Sequence, residues 1–389
     1  MRVDSSPILR SAGSISSART FGILSSYPPT ACGLATFSAA LASGLVANGA
    51  DVSVVRVSDA PIRSLNCVVG ELVNGSMRSV AESSDLLNRS EIAVVQHEYG
   101  LYGGADGDEV LEVLAELRVP SIVIAHTILS NPTAHQETVL NEVSALADAV
   151  VVMSKAARDR LCSRFDVDAA KVVTIPHGAT IPLCHATSSK PTRPTLLTWG
   201  LIGPGKGIER VIDAMRSLYD LPQQPQYLVA GQTHPKVLAA DGEAYRQARV
   251  EQSILNGVAS SVTFDSDYRD VASLTSLIQS SAVVVLPYDS TEQVTSGVLV
   301  DAIAAGRPVV ATAFPHAIEV LSSGAGLVVD HNDPEALALA LRRVLLEPDL
   351  AASMGAEASR LAPSLGWPVV AGQILSLANR LLTERMSLV

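Results

Sequence analysis

Lys206 lies among glycines in Gly200-Leu201-Ile202-Gly203-Pro204-Gly205-Lys206-Gly207, a composition suited to holding an anion. The stretch follows the apolar run Thr195–Trp199 and precedes the helix-like Ile208-Glu209-Arg210-Val211-Ile212-Asp213-Ala214-Met215. Glycines let a backbone approach a phosphate closely. A helix start adds unpaired N–H groups and the positive end of its dipole, and the lysine adds a full charge. The same residues also suit an ordinary strand-to-helix turn with a solvated lysine. The stretch is not a Walker P-loop, since no Ser or Thr follows Lys206 to hold magnesium, and it is not the GxGxxG fingerprint of dinucleotide sites. Two other groups of residues have types that do chemistry. Gln96-His97-Glu98-Tyr99-Gly100-Leu101-Tyr102-Gly103-Gly104 puts a histidine at the end of an apolar run and ahead of a glycine-rich loop. Pro287-Tyr288-Asp289-Ser290-Thr291-Glu292-Gln293-Val294-Thr295-Ser296-Gly297 is a polar cluster leading into Val298-Leu299-Val300-Asp301-Ala302. His126, closing the next apolar run, reads first as structural, and His177 reads as part of a hinge turn.

The elements that must position these residues alternate along the chain. Strand-like runs at Thr20–Ser25, Asp51–Val57, Ile92–Gln96, Ser121–His126, Ala149–Met153 and Val172–Ile175 are separated by helical patterns at Thr36–Asn48, Asp108–Leu117, Ala134–Ala147 and Lys155–Phe165. The Pro-, Ser- and Thr-rich stretch 182–194 reads as a linker, after which strands recur at Thr195–Trp199, Gln226–Ala230, Ser261–Phe264, Ala282–Leu286, Pro308–Thr312 and Gly326–Val329. Nearly continuous Val/Ile/Ala strands alternating with helices predict parallel sheets covered on both faces. The expected organisation is a loose tail at 1–17, a first Rossmann-like domain at 18–181, the linker 182–194, a second Rossmann-like domain at 195–365, and a C-terminal helix at 366–389. Ligands of such sheets bind beyond the carboxyl ends of the strands, so two domains of this kind place a ligand in the cleft between them.

Composition narrows the partners. The 389 residues suit two domains, and 48% hydrophobic against 17% charged residues allows a large core. A net charge of −11 argues against nucleic acid or an anionic membrane as a broad partner. Cys32, Cys67, Cys162 and Cys184 are scattered without a CxxC pair, which speaks against a zinc site or disulfide framework and suits a reducing cytoplasm. No apolar run approaches the roughly 18 residues of a membrane span, and the N-terminal stretch lacks the apolar core of a secretory signal.

Taken in order, these motifs resemble family-4 glycosyltransferases, the retaining, metal-independent enzymes of the GT-B fold that transfer a sugar from a nucleotide donor. The resemblance runs from about Thr20 to the C-terminus. Ser25-Ser26-Tyr27-Pro28-Pro29-Thr30-Ala31-Cys32-Gly33-Leu34-Ala35-Thr36-Phe37 matches the family's loop that approaches the donor phosphates and the acceptor, with Gly33 permitting close approach and Thr36 suited to capping the next helix. His97 matches the strand-end histidine beside the transferred sugar. Gly200, Gly203, Gly205 and Gly207 form the phosphate loop, and Lys206 aligns with the lysine that clamps the diphosphate. Leu201 replaces the usual arginine, leaving the loop amides, Arg269 or Arg307 to compensate. The family's signature of two glutamates eight residues apart falls on Gln293 and Asp301, with Glu292 one residue before the first. In the family the first position contacts the donor sugar and the second binds the ribose diol, for which a carboxylate accepting two hydrogen bonds is suited. Thr295, Ser296 and Gly297 begin a helix whose amides face the diphosphate. Gly366-Trp367-Pro368 precedes Val369–Leu382, the segment expected to cross back onto the first domain.

The resemblance implies transfer of a hexose, with retention, from a nucleotide sugar to a hydroxyl of a saccharide or glycan. GDP-mannose is the first expected donor and UDP-glucose the second. No cofactor or metal is implied, since Asp106-Gly107-Asp108 lies in a loop rather than at a strand end. A homodimer is compatible with it. Two other readings stand beside this one: another GT-B enzyme, such as a nucleotide-sugar epimerase or a sugar phosphorylase, and a non-catalytic sugar-nucleotide-binding protein.

Overall fold

The computed structural model describes residues 20–30, 32–58, 67–182, 193–267 and 269–387. The tail at 1–17 and nearly all of the linker at 182–194 therefore lie outside the described residues. Strands β1 (Thr20–Ser25), β2 (Asp51–Ser58), β3 (Val68–Val73), β4 (Ile92–His97), β5 (Ser121–Ala125), β6 (Ala149–Val152) and β7 (Val172–Thr174) form one parallel sheet in the order β3-β2-β1-β4-β5-β6-β7. Strands β8 (Thr195–Trp199), β9 (Gln226–Ala230), β10 (Val262–Asp265), β11 (Val283–Leu286), β12 (Val309–Thr312) and β13 (Gly326–Val329) form a second, in the order β10-β9-β8-β11-β12-β13. Central strands such as β4 and β11 are buried along their whole length, as strands covered by helices on both faces must be. Both sheets follow the Rossmann order, which reverses direction between β1 and β4 and again between β8 and β11. Loops leaving the carboxyl ends of these four strands diverge and open a crevice at each reversal.

The expected strands recur within a residue or two, but β3 and the helix Met77–Leu87 are additional. Val68–Val73 is an edge strand with an irregular burial pattern and a central glycine, so it lacks both a continuous apolar run and clean alternation. The Cβ that Gly70 lacks would sit 2.3 Å from Leu86 Cδ1, so the glycine lets the following helix lie against the strand.

The final helix, Trp367–Ser387, crosses back as expected and buries Val370, Ala371, Ile374, Leu377 and Ala378 in the cluster that holds Phe21, Ile23, Phe37, Leu41 and Leu45. It lies close against the helix Gly33–Ala47, since a Cβ on Gly44 would come within 2.8 Å of the Trp367 carbonyl oxygen. Where the chain crosses, the Ala179 amide donates to Leu365 O at 2.7 Å and the Trp367 amide to Ala179 O at 3.2 Å. Among the described residues no helix is long and apolar enough to cross a membrane.

Candidate active site

The loops at both sheet reversals face one cleft. After β1 the chain turns through Tyr27-Pro28-Pro29-Thr30 into the helix Gly33–Ala47. The cap of this helix is Cys32, whose Sγ accepts from the Ala35 amide at 3.4 Å. Thr36 is not the cap: the helix begins before it, and its hydroxyl donates to Cys32 O at 3.3 Å. Beyond its own turn, no described residue lies within 4 Å of the position a Cβ on Gly33 would take, and Gly33 lines the cleft.

His97 closes β4 and is 1% exposed. Burial lowers its pKa to about 4, and both ring nitrogens lack a hydrogen-bond partner among the described residues. Buried polar groups rarely go unpaired in folded proteins, so a neutral imidazole with two unmet nitrogens at a strand end calls for a partner, water or ligand, that the described residues do not supply. Tyr99 meets the His97 ring edge-on at 5.2 Å between centroids. His126 is tied down by contrast, with Nε2 2.6 Å from Gln96 Oε1. Nδ1 of His177 donates to Gly178 O at 2.7 Å, and the Phe37 ring packs edge-on against both His126 and His177. The histidines expected to be structural are thus held by the protein, whereas His97 is free. We expect His97→Ala to lower turnover about ten-fold, the effect of losing one hydrogen bond near 1.4 kcal/mol, while nucleoside diphosphate affinity stays within about two-fold. Turnover per folded molecule, melting temperature and calorimetric affinity on one preparation decide it. A less stable protein that turns over normally would remove His97 from the reaction.

On the facing side, Gly200, Gly205 and Gly207 adopt φ of 120°, 88° and 63°. A Cβ on Gly207 would fall 1.7 Å from Pro287 O, so only glycine fits between the β8 and β11 loops. Gly203 is buried beneath Val237, 3.1 Å from the Cβ position, and serves packing. The helix Ile208–Leu218 starts at Gly207 with no side-chain cap, leaving first-turn amides for an anion. Lys206 Nζ sits 4.6 Å from the centroid of the Tyr288 ring, and no carboxylate among the described residues pairs with it. Desolvation lowers its pKa. A partly buried cation without a counter-ion is an incomplete ion pair.

The loop after β11 carries the polar cluster. Glu292 turns toward Arg160, 3.4 Å away. Gln293 donates from Nε2 to Thr295 O at 2.9 Å, and the buried Thr295 hydroxyl has no partner among the described residues. Ser296 caps the helix Gly297–Ala304, its Oγ accepting from the Leu299 amide at 3.2 Å. Its own amide is not available to a diphosphate, because it donates to His316 Nδ1 at 2.9 Å. The free donors of that turn are the amides at Gly297 and Val298. Asp301 lies one turn on, and desolvation raises its carboxyl to about 7. Asp106 is engaged elsewhere, accepting from His135 Nδ1 at 3.0 Å.

A cavity of about 530 Å³ runs between the halves, lined on one side by Pro28, Thr30, Cys32 and Gly33 and on the other by Trp199, Leu201, Gly231 and Arg269. Arg269 therefore lines the same cavity as Leu201, and it is ion-paired with Asp265. Arg307 cannot stand in for the missing arginine: its guanidinium donates to Gln279 O and Ser281 O at 3.1 Å, bracing the end of the preceding helix.

Residues 31–181 match the family described as Glycosyltransferase Family 4, and residues 185–361 the Glycosyl transferases group 1 family, so the two together take in both halves of the cleft. The chain belongs to the family-4 glycosyltransferases of the GT-B fold. The glycosyltransferase is 25% identical over 288 residues to a D-inositol 3-phosphate glycosyltransferase of Corynebacterium glutamicum, covering 67% of each chain. It is 29% identical over 283 residues to the protein of that name from Kineococcus radiotolerans, covering 63% of this chain and 60% of the relative. Its fold matches a glycosyltransferase from Rickettsia africae at a TM-score of 0.72 and 13% identity, over 94% of this chain and 99% of that one. It matches an Anabaena protein in complex with UDP and glucose at a TM-score of 0.70 and 17% identity, over 92% and 98%.

Residues of this glycosyltransferase that the sequence reading passed over are Ser154, Arg160, His316 and Glu319. His316 had a usable signal, since it follows Pro315 just beyond the carboxyl end of β12. Ser154, Arg160 and Glu319 had none, because they act across the cleft.

Proposed function

We propose that this glycosyltransferase moves a hexose from a nucleoside diphosphate sugar to a hydroxyl of a saccharide or polyol acceptor, with retention at the anomeric carbon. The observation that carries the reading is Lys206, a desolvated cation with no carboxylate partner among the described residues, in the glycine loop after β8 at an uncapped helix start. In this chemistry charge builds on the departing diphosphate, so positive potential matters more than a strong base. Lys206 and the first-turn amides of Ile208–Leu218 and Gly297–Ala304 supply it from the protein. Asp301 holds the ribose, His97 lies against the sugar, and the leaving phosphate oxygen takes the acceptor's proton. A UDP-linked hexose is favoured over GDP-mannose because similar structures are held with UDP, UDP and glucose, and UDP-glucose. The relatives' acceptor, inositol 3-phosphate, supports a polyol or sugar hydroxyl as the attacking group.

A thermal-shift series with UDP, GDP and ADP tests the donor. The matching nucleotide at about 100 times its dissociation constant adds about 2.7 kcal/mol of stability. Stabilisation by GDP alone reassigns the donor to the guanosine class. Incubating the protein with the sugar nucleotide alone separates an epimerase, which converts it without acceptor. Stabilisation without turnover on any acceptor supports a binding protein instead.

A further inference from the structure

The loop that carries Glu292, Gln293 and Thr295 belongs by sequence to the second half of the molecule, yet much of its support comes from the first. Val294 is 4% exposed and is part of the buried cluster of the first sheet that includes Tyr99 and Ile128. Its carbonyl accepts from Ser154 Oγ at 2.6 Å, while the same Oγ caps the helix Lys155–Arg164 by accepting from the Ala157 amide at 2.9 Å. The Arg160 guanidinium, on that helix, donates at 2.8 Å both to Ile128 O in the first half and to Glu292 O in the loop. Only the carbonyl between them, that of Gln293, is held by its own half, through the His316 amide at 3.2 Å. Three residues beyond His316, on the helix Pro315–Leu321, Glu319 reaches back across the interface. Its two carboxylate oxygens accept from the Lys155 and Ala156 amides at 2.8 and 2.9 Å, seating a full negative charge on the positive end of the helix dipole. One short helix of the first half therefore meets the second half at its cap, at its first two amides and at Arg160.

We propose that Ser154, Arg160 and Glu319 form an interdomain latch that positions the donor-sugar loop 292–297, so that closing the cleft and shaping the loop are one event. When the halves separate, the carbonyls of Glu292 and Val294 lose these donors, Val294 leaves its apolar cluster, and the loop loses its fixed path past Gln293 and Thr295. The nucleotide-facing residues Lys206 and Asp301 stand on elements of the second half, Asp301 on a helix that also packs against Ala179 and Ile181 where the chain crosses, and keep their places. Arg160 and Glu319 are thus positioning residues: they touch no substrate and act through the loop. The linkage also guards the donor, because a sugar nucleotide bound in an open cleft meets an unshaped loop and is not turned over.

The proposal rests on the donor reading of the loop, so its test needs a readout independent of activity. The 389-residue Glu319→Gln protein, nearly isosteric, is compared with Arg160→Met and wild type. Small-angle X-ray scattering with and without UDP or GDP measures the opening of the cleft. Calorimetry measures affinity for the nucleoside diphosphate alone, and turnover is measured at saturating donor. We expect both variants to scatter as a wider, more open particle than wild type, to bind the nucleotide within about two-fold of wild type, and to turn over about ten-fold or more slowly, the loss of a charge-assisted hydrogen bond. Unchanged scattering in both variants overturns the latch even where no donor has been identified, which separates its failure from that of the donor assignment. Normal turnover per folded molecule, or nucleotide affinity that falls in step with turnover, overturns it equally. If Arg160→Met does not fold, Glu319→Gln alone decides.

Discussion

Lys206→Ala is expected to lower sugar transfer by about 10- to 150-fold while leaving the unliganded protein as heat-stable as wild type. Both halves of the expectation follow from its surroundings. The ammonium faces the Tyr288 ring and has no carboxylate beside it among the described residues, and burial already lowers its pKa. A charge held this way costs desolvation in the free protein and is compensated only when an anion arrives. Removing it relieves that cost, so the melting temperature without ligand holds or rises. With donor bound, the variant loses a hydrogen bond to a charged group, worth roughly 1.5–3 kcal/mol, and the loss is largest where charge builds on the leaving diphosphate. Kinetics and thermal shift on one preparation check it. The nucleotide-induced rise in melting temperature should shrink in the variant. Near-wild-type turnover, or a melting temperature that collapses without ligand, takes Lys206 out of the phosphate site.

The second large effect is acid lability. Burial lowers His97, His177 and His316 to about 4 and His126 to about 3, with neighbouring histidines adding to the shift at His126 and His316. Each is neutral in the fold and takes up a proton near pH 6.5 once unfolded. Between pH 6.5 and about 4 the unfolded chain therefore binds more protons, and stability falls as pH falls. Asp301, raised to about 7, and Glu98, also raised by burial, act in the opposite sense, since the fold holds their protons more tightly. Four groups against two, or against Asp301 alone, leave about two to three net protons, or about 3–4 kcal/mol per pH unit near pH 5. That exhausts a typical stability of about 5–15 kcal/mol within a few units. Urea unfolding midpoints at pH 7, 6 and 5 should fall steeply. A flat profile would show that these histidines protonate inside the fold.

Much of this was legible in the residues. Alternation of buried strand runs with helical patterns determines two parallel sheets, because a strand covered on both faces has to be apolar along its length. Right-handed crossovers then prune the possible strand orders to a handful. Once both sheets reverse beside β1 and β8, the loops with the glycines, His97, Lys206 and the Glu292–Asp301 cluster must converge at the carboxyl ends. The missed edge strand Val68–Val73, interrupted by Gly70 and half exposed, has no periodic signal to read.

What the sequence could not decide were choices between neighbours distant in the chain. Cys32 rather than Thr36 caps its helix because the chain turns four residues earlier than the Ser/Thr preference implies. The Ser296 amide goes to His316 rather than to a ligand, and Arg307 goes to two helix-end carbonyls while Arg269 reaches the cleft. The latch joins Ser154, Arg160 and Glu319 to residues more than a hundred positions away. Local pattern reports burial and periodicity, which are properties of a residue and its near neighbours. Which donor meets which acceptor depends on how the two sheets dock, and that geometry exists only in the tertiary structure.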